Sequence, residues 1–66
     1  MINKRLKELR IEKGLSQTQL AEALKTTQGA IGKYERGELD LNTEKIVQFC
    51  KVLNVSPNEL FEWDKD

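Results

Sequence analysis

Apolar residues recur at helical spacing along the whole chain. Ile2, Leu6 and Leu9 fall at i, i+4 and i+7, one stripe of an amphipathic helix. This predicts a first helix over about 2–13, stopped by Gly14 with its permissive backbone. Arg10 falls beside the stripe, so its guanidinium leans inward and needs a partner. Leu20, Ala21 and Leu24 share a face of a second helix, and Ala30, Ile31 and Tyr34 share a face of a third. Ile46, Phe49, Cys50 and Leu53 form a fourth stripe, and Leu60 and Phe61 belong to a short fifth helix. No segment alternates with the period of two that a half-buried strand requires.

The helix starts carry explicit signals. Ser16 followed by Gln19 is a capping box, flanked by Leu15 and Leu20 as a hydrophobic staple. Ser56, Pro57 and Glu59 repeat the pattern before the fifth helix, over about 57–62, with Val55 and Leu60 as the staple. Asn42 caps the fourth helix, over about 43–53, with Glu44 in its first turn and Leu41 able to staple to Ile46; Asn54 is its left-handed stop. Lys25 and Thr26 separate the second and third helices. Thr27 caps the third, which runs over 28–36 and ends at Gly37. Gly29 and Gly32 inside it each cost about 1 kcal/mol relative to alanine, so packing of Ala30, Ile31 and Tyr34 has to hold this helix. The expected fold is all-α, five helices around one core.

At 66 residues the chain reads as one domain over 1–66. A chain of that size buries only about 60% of its unfolded surface. No apolar run approaches the roughly 18 residues of a membrane span, and Met1–Arg5 enters an amphipathic segment without a signal-peptide pattern. A cytoplasmic protein that does not engage membrane is therefore expected. With one cysteine and no histidine, Cys50 has no internal disulfide partner, no zinc set and no activating base. No nucleophile–base pair, metal cluster or phosphate loop is present, so no enzyme, no metal, no cofactor and no small-molecule ligand are expected. The formal net charge is zero, but residues 1–37 carry eight Lys or Arg against four Glu, about +4, and residues 38–66 about −4. A local field of this kind, rather than the summed charge, steers a polyanion.

Ser16–Gly37 is the stretch on which these observations converge: two helices and a tight turn, with Gln28 and Lys33 on the outward side of the second. Leu15-Ser16-Gln17, Leu20-Ala21, Thr26-Thr27-Gln28, Ile31, Tyr34-Glu35-Arg36-Gly37 and Leu53-Asn54-Val55-Ser56 resemble the Cro/cI-type helix-turn-helix domain (XRE family, phage-repressor-like) over about residues 6–61. The resemblance implies a five-helix lambda-repressor-like DNA-binding bundle, with the helix-turn-helix at about 17–36 and helix 28–36 in the major groove. It places Ser16 and Gln17 over the phosphate backbone, and Ala21 and Ile31 in the packing between the two helices. It also implies a structural ion pair between Arg10 and Glu35.

Gln28 is suited to an adenine edge. Lys33 fits a guanine edge or a phosphate equally, Ser16, Gln17 and Arg36 fit phosphates, with Arg36 also fitting a solvated charge, and Thr27 belongs to the same DNA-binding set. Two departures from the family pattern stand out. Lys25 occupies the turn position where glycine is usual, at a cost on the order of 1 kcal/mol if the angle there is left-handed. Gly29 and Gly32 stand where relatives often carry base-reading side chains, so they offer close approach to DNA or leave recognition to DNA shape.

The expected function is sequence-specific binding of double-stranded DNA by a transcriptional regulator, a repressor, acting as a homodimer on a palindromic operator. With no room for a separate dimerisation domain, the expected dimer face is Leu39, Leu41, Val52, Phe61 and Trp63, although Phe61 also fits the core with Trp63 merely covering it. The alternative is a protein-interaction module or antitoxin-like co-regulator that uses the acidic half, with DNA binding secondary.

Overall fold

The computed structural model describes residues 2–61. Five helices follow in order: α1 (Ile2–Glu12), α2 (Gln17–Leu24), α3 (Gln28–Arg36), α4 (Thr43–Leu53) and α5 (Pro57–Phe61). The expected bounds hold closely. The exceptions are α1, which ends at Glu12 with Lys13 and Gly14 in the following turn, and the expected last residue of α5, number 62, which lies outside the described residues. No described helix is long and apolar enough to cross a membrane.

The capping signals act as the local chemistry requires. Ser16 Oγ accepts from the Gln19 amide at 3.0 Å while Gln19 Oε1 accepts from the Ser16 amide at 2.8 Å. Ser56 and Glu59 form the same reciprocal pair, and Asn42 Oδ1 accepts from the Lys45 amide at 2.8 Å. Thr27 Oγ1 accepts from the Ala30 amide at 3.1 Å, which fixes the start of α3.

The core is one cluster. Leu6, Leu9, Leu20, Ala21, Ile31, Phe49, Cys50, Leu53, Val55 and Leu60 are buried, and Leu15, Leu24, Tyr34, Leu41 and Ile46 pack against them. Helix α3 lies against both α1 and α2, and α4 closes on α2 and α5. Tyr34 meets Phe49 edge to face, with ring centroids 5.5 Å apart and planes at 79°, a favoured aromatic arrangement. The glycine-weakened α3 is thus held by Ile31 and Tyr34, with Ala30 half-buried beside them. Asn3 adds a polar tie from α1, its Nδ2 donating to the Tyr34 carbonyl at 2.7 Å. Burial raises the pKa of the Cys50 thiol, which keeps it protonated and unreactive at neutral pH.

Lys25 caps α2 in the left-handed region, at φ 58° and ψ 44°, with its amide donating to the Ala21 and Glu22 carbonyls. Its side chain is exposed, so little but backbone preference is at stake. Lys25→Gly is expected to stabilise the fold by about 1 kcal/mol. A urea titration checks this; a midpoint that does not rise shows that contacts of the Lys25 stem offset the strain.

Candidate nucleic-acid interface

The turn between α2 and α3 brings two glutamines together. Gln17 is the first residue of α2 and Gln28 the first of α3, and Gln28 Nε2 donates to Gln17 Oε1 at 3.0 Å. Gln17 Nε2 in turn donates to Glu35 Oε1 at 3.1 Å. The carboxylate of Glu35 is gripped from the other side by Arg10, at 2.7 Å from Nε to Oε2 and 3.2 Å from Nη2 to Oε1. Arg10 Nη1 then donates to the Leu15 carbonyl at 2.9 Å. A continuous chain of hydrogen bonds therefore runs from the exposed amide of Gln28 into an ion pair whose side chains are 10% and 4% exposed. Every buried charge on it is satisfied, and among the described residues no buried side-chain nitrogen or oxygen lacks a partner. The inward-leaning Arg10 thus finds its partner in Glu35.

The rest of the outward face is read from the same two helices. Gln28, Gly29, Lys33 and Arg36 are exposed, as are Ser16 and Thr27 at the two helix starts. A Cβ on Gly29 would meet nothing nearer than Thr27 Oγ1 at 4.0 Å, so the surface there is bare backbone. Gly32, expected on the open face, is instead buried, because Arg36 folds back over it. Arg36 itself donates from Nε to Glu38 Oε2 at 2.6 Å. Each partner shifts the other: the hydrogen bond from Arg36 holds the Glu38 carboxyl below the usual range, and that bond to Glu38 raises the pKa of Arg36. The Gln17–Gln28 link, the Gln17–Glu35 contact and Glu38 were not predicted from the sequence. Gln17 and Gln28 are eleven residues apart, and only the crossing of the two helices makes them neighbours. Residues i and i+2 do not face each other on a helix; Arg36 and Glu38 meet because Gly37, at φ 78°, reverses the chain between them.

The expected dimer face is only partly contiguous. Leu39, Leu41 and Phe61 line one hollow of about 260 Å³ together with Ile2, Gly37 and Ile46. Val52 does not join them. It lines a second hollow, of about 220 Å³, with Ala23, Leu24 and Lys25, because its side of α4 turns toward α2 rather than toward the 38–42 loop. Trp63 lies outside the described residues.

A short capped helix, a tight turn and a second helix whose outward side carries one amide, Gln28, and two cations, Lys33 and Arg36, define a DNA-reading helix-turn-helix of the phage-repressor type. A family profile described as helix-turn-helix matches residues 6–60, and the chain belongs to this XRE-type family of DNA-binding transcriptional regulators. It is 34% identical over 62 residues to an SPbeta prophage-derived uncharacterized HTH-type transcriptional regulator, YonR, of Bacillus subtilis, covering 94% of this chain and 57% of that protein. The restriction-modification controller protein C.AhdI of Aeromonas hydrophila superposes with a TM-score of 0.84 at 37% identity, over 91% of this chain and 87% of the other. The P22 c2 repressor, solved in complex with a synthetic operator, superposes with a TM-score of 0.80 at 27% identity, over 91% of each chain.

Proposed function

We propose that this chain binds double-stranded DNA sequence-specifically as a transcriptional repressor of the cytoplasm, two copies acting on a palindromic operator. The single observation that carries the reading is the hydrogen-bond chain from Gln28 through Gln17 to the buried Glu35–Arg10 pair. A base-reading amide gains most when its rotamer is fixed before binding, since ordering a free side chain on contact costs about 0.5–1.5 kcal/mol. Gln28 is held in this way at the exposed tip of α3, with the amide end available for an adenine N6/N7 edge. Ser16, Gln17 and Thr27 stand at helix starts, where free amides and the positive end of the dipole favour phosphate. Lys33 extends the same face. The P22 c2 repressor, with its operator bound, supports placing α3 in the major groove. The hollow beside Leu39, Leu41 and Phe61 adjoins Gly37 at the end of α3, which supports this face as the two-fold contact.

Selection of bound duplexes from a random pool tests the proposal. The expected result is a palindromic consensus with half-sites about one helical turn apart, and an affinity that falls steeply with salt. Gln28→Ala is expected to lose roughly 1–3 kcal/mol of discrimination at one adenine. Lys33→Ala is expected to lose either base preference or about one unit of salt slope. Recovery of no consensus, together with unchanged binding in both variants, sinks the proposal and favours a protein-interaction module.

A further inference from the structure

On α3, Arg36 lies one turn beyond Gly32, and helical side chains point back toward the N-terminus over the preceding turn. Here the preceding turn is bare. A Cβ built on Gly32 would sit 2.9 Å from Arg36 Nη1, 3.7 Å from its Cζ and 3.7 Å from Gln17 Nε2. The guanidinium thus occupies the space that a side chain at position 32 would take, in the middle of the outward face and next to the amide that anchors Gln28. Its orientation is set from the side, by the 2.6 Å bond from Nε to Glu38. That leaves the Nη1/Nη2 end, the fork that matches guanine O6 and N7.

We infer that Arg36 is a base-reading residue, presenting its fork to a guanine from the bare turn at Gly32, and not a phosphate clamp. The inference rests on the DNA-reading role proposed above and names a second base contact for the same face. It also gives Gly32 a purpose: the missing side chain is replaced by an arginine that reaches back from the next turn. The reading set becomes Gln28 for adenine and Arg36 for guanine.

Duplex selection with the wild-type protein, Arg36→Ala and Gly32→Ala, followed by salt titration on the selected site, tests this. The wild type is expected to select a guanine in each half-site. Arg36→Ala is expected to lose roughly 5- to 150-fold of preference at that one position, with the other positions and the salt slope retained. In Gly32→Ala the added methyl displaces Nη1, so the same guanine preference falls although the arginine and its charge remain. Arg36 has an exposed side chain and alanine is the better helix former at position 32, so both variants fold; thermal melts verify it. A uniform loss of affinity in Arg36→Ala, with the consensus intact and the salt slope lower by about one, identifies a phosphate contact and overturns the inference while leaving the DNA-reading role standing. An unchanged guanine preference in Gly32→Ala overturns it as well. A wild-type selection without any consensus fails both readings at once.

Discussion

Glu35→Ala is expected to destabilise the fold by about 3–5 kcal/mol, the range for removing one partner of a buried ion pair. The side chains of Glu35 and Arg10 are 4% and 10% exposed, so the alanine variant leaves a guanidinium in the interior whose one remaining partner among the described residues is the Leu15 carbonyl. Gln17 loses its acceptor in the same step. Total stability for a chain of this length is about 3–10 kcal/mol at the usual 0.05–0.15 kcal/mol per residue. The substitution therefore consumes a large share of it. Removing both charges, as in Arg10→Met with Glu35→Leu, is expected to recover most of the loss, because a buried pair often does no better than well-packed apolar groups of similar volume. Urea unfolding of the two single variants and the double variant measures the coupling directly. By contrast, Glu38→Ala removes an equally short ion pair that lies in solvent, where such pairs contribute little, and its unfolding midpoint should barely move. If Glu35→Ala costs less than about 1 kcal/mol, the pair is not what joins α1 to α3.

The same substitution has a functional consequence that stability alone does not produce. With Glu35 absent, Gln17 is free to turn, and Gln28 loses its anchor. Even at temperatures where the double variant is fully folded, discrimination at the adenine proposed for Gln28 is expected to decline. The double variant thereby separates the structural contribution of the pair from the proposed orienting of Gln28 through Gln17.

What was legible in the sequence follows the reach of local rules. Capping boxes act over three residues and apolar stripes over one or two helical turns, and so the order and starts of α2, α4 and α5 could be read directly from Ser16, Asn42 and Ser56. The inward lean of Arg10 was legible from its place beside the Leu6–Leu9 stripe, but its partner came only from the family resemblance, since 25 residues separate it from Glu35. The Gln17–Gln28 link depends on the angle at which α2 crosses α3, which no spacing rule encodes. Within the motif, the sequence fits Arg36 to a phosphate contact or to a solvated charge. Its fold-back over Gly32 required knowing that the preceding turn is empty and that Gly37 brings Glu38 round to its Nε. An apolar stripe gives the face of α4 on which Val52 sits and not the neighbour that this face meets, which is α2 and not the 38–42 loop.

Phe49→Ala is expected to abolish the cooperative fold at room temperature or leave it barely populated. Phe49 is 1% exposed and heads the fully buried side chains by volume. Truncation of such a residue costs about 3–5 kcal/mol, transfer and cavity contributions together, against the same small total. Two features push the cost toward the upper end. The edge-to-face contact with Tyr34 is lost, worth about 0.5–1.5 kcal/mol beyond area burial. Tyr34 is also one of the few apolar anchors of α3, a helix that contains two glycines and cannot hold its shape by propensity. The damage therefore spreads from the core to the reading helix: α3 should fray first, and amide exchange at Ile31–Tyr34 should accelerate more than exchange in α1. Phe49→Leu, which keeps most of the volume, is expected to fold with a smaller loss and to bind DNA with its specificity intact. Thermal melts followed by near-ultraviolet circular dichroism, together with hydrogen exchange, decide the matter. A Phe49→Ala protein that melts cooperatively with less than about 1.5 kcal/mol lost would mean that the core closes over the cavity, and that α3 is held chiefly by the Glu35–Arg10 pair and not by its aromatic contact.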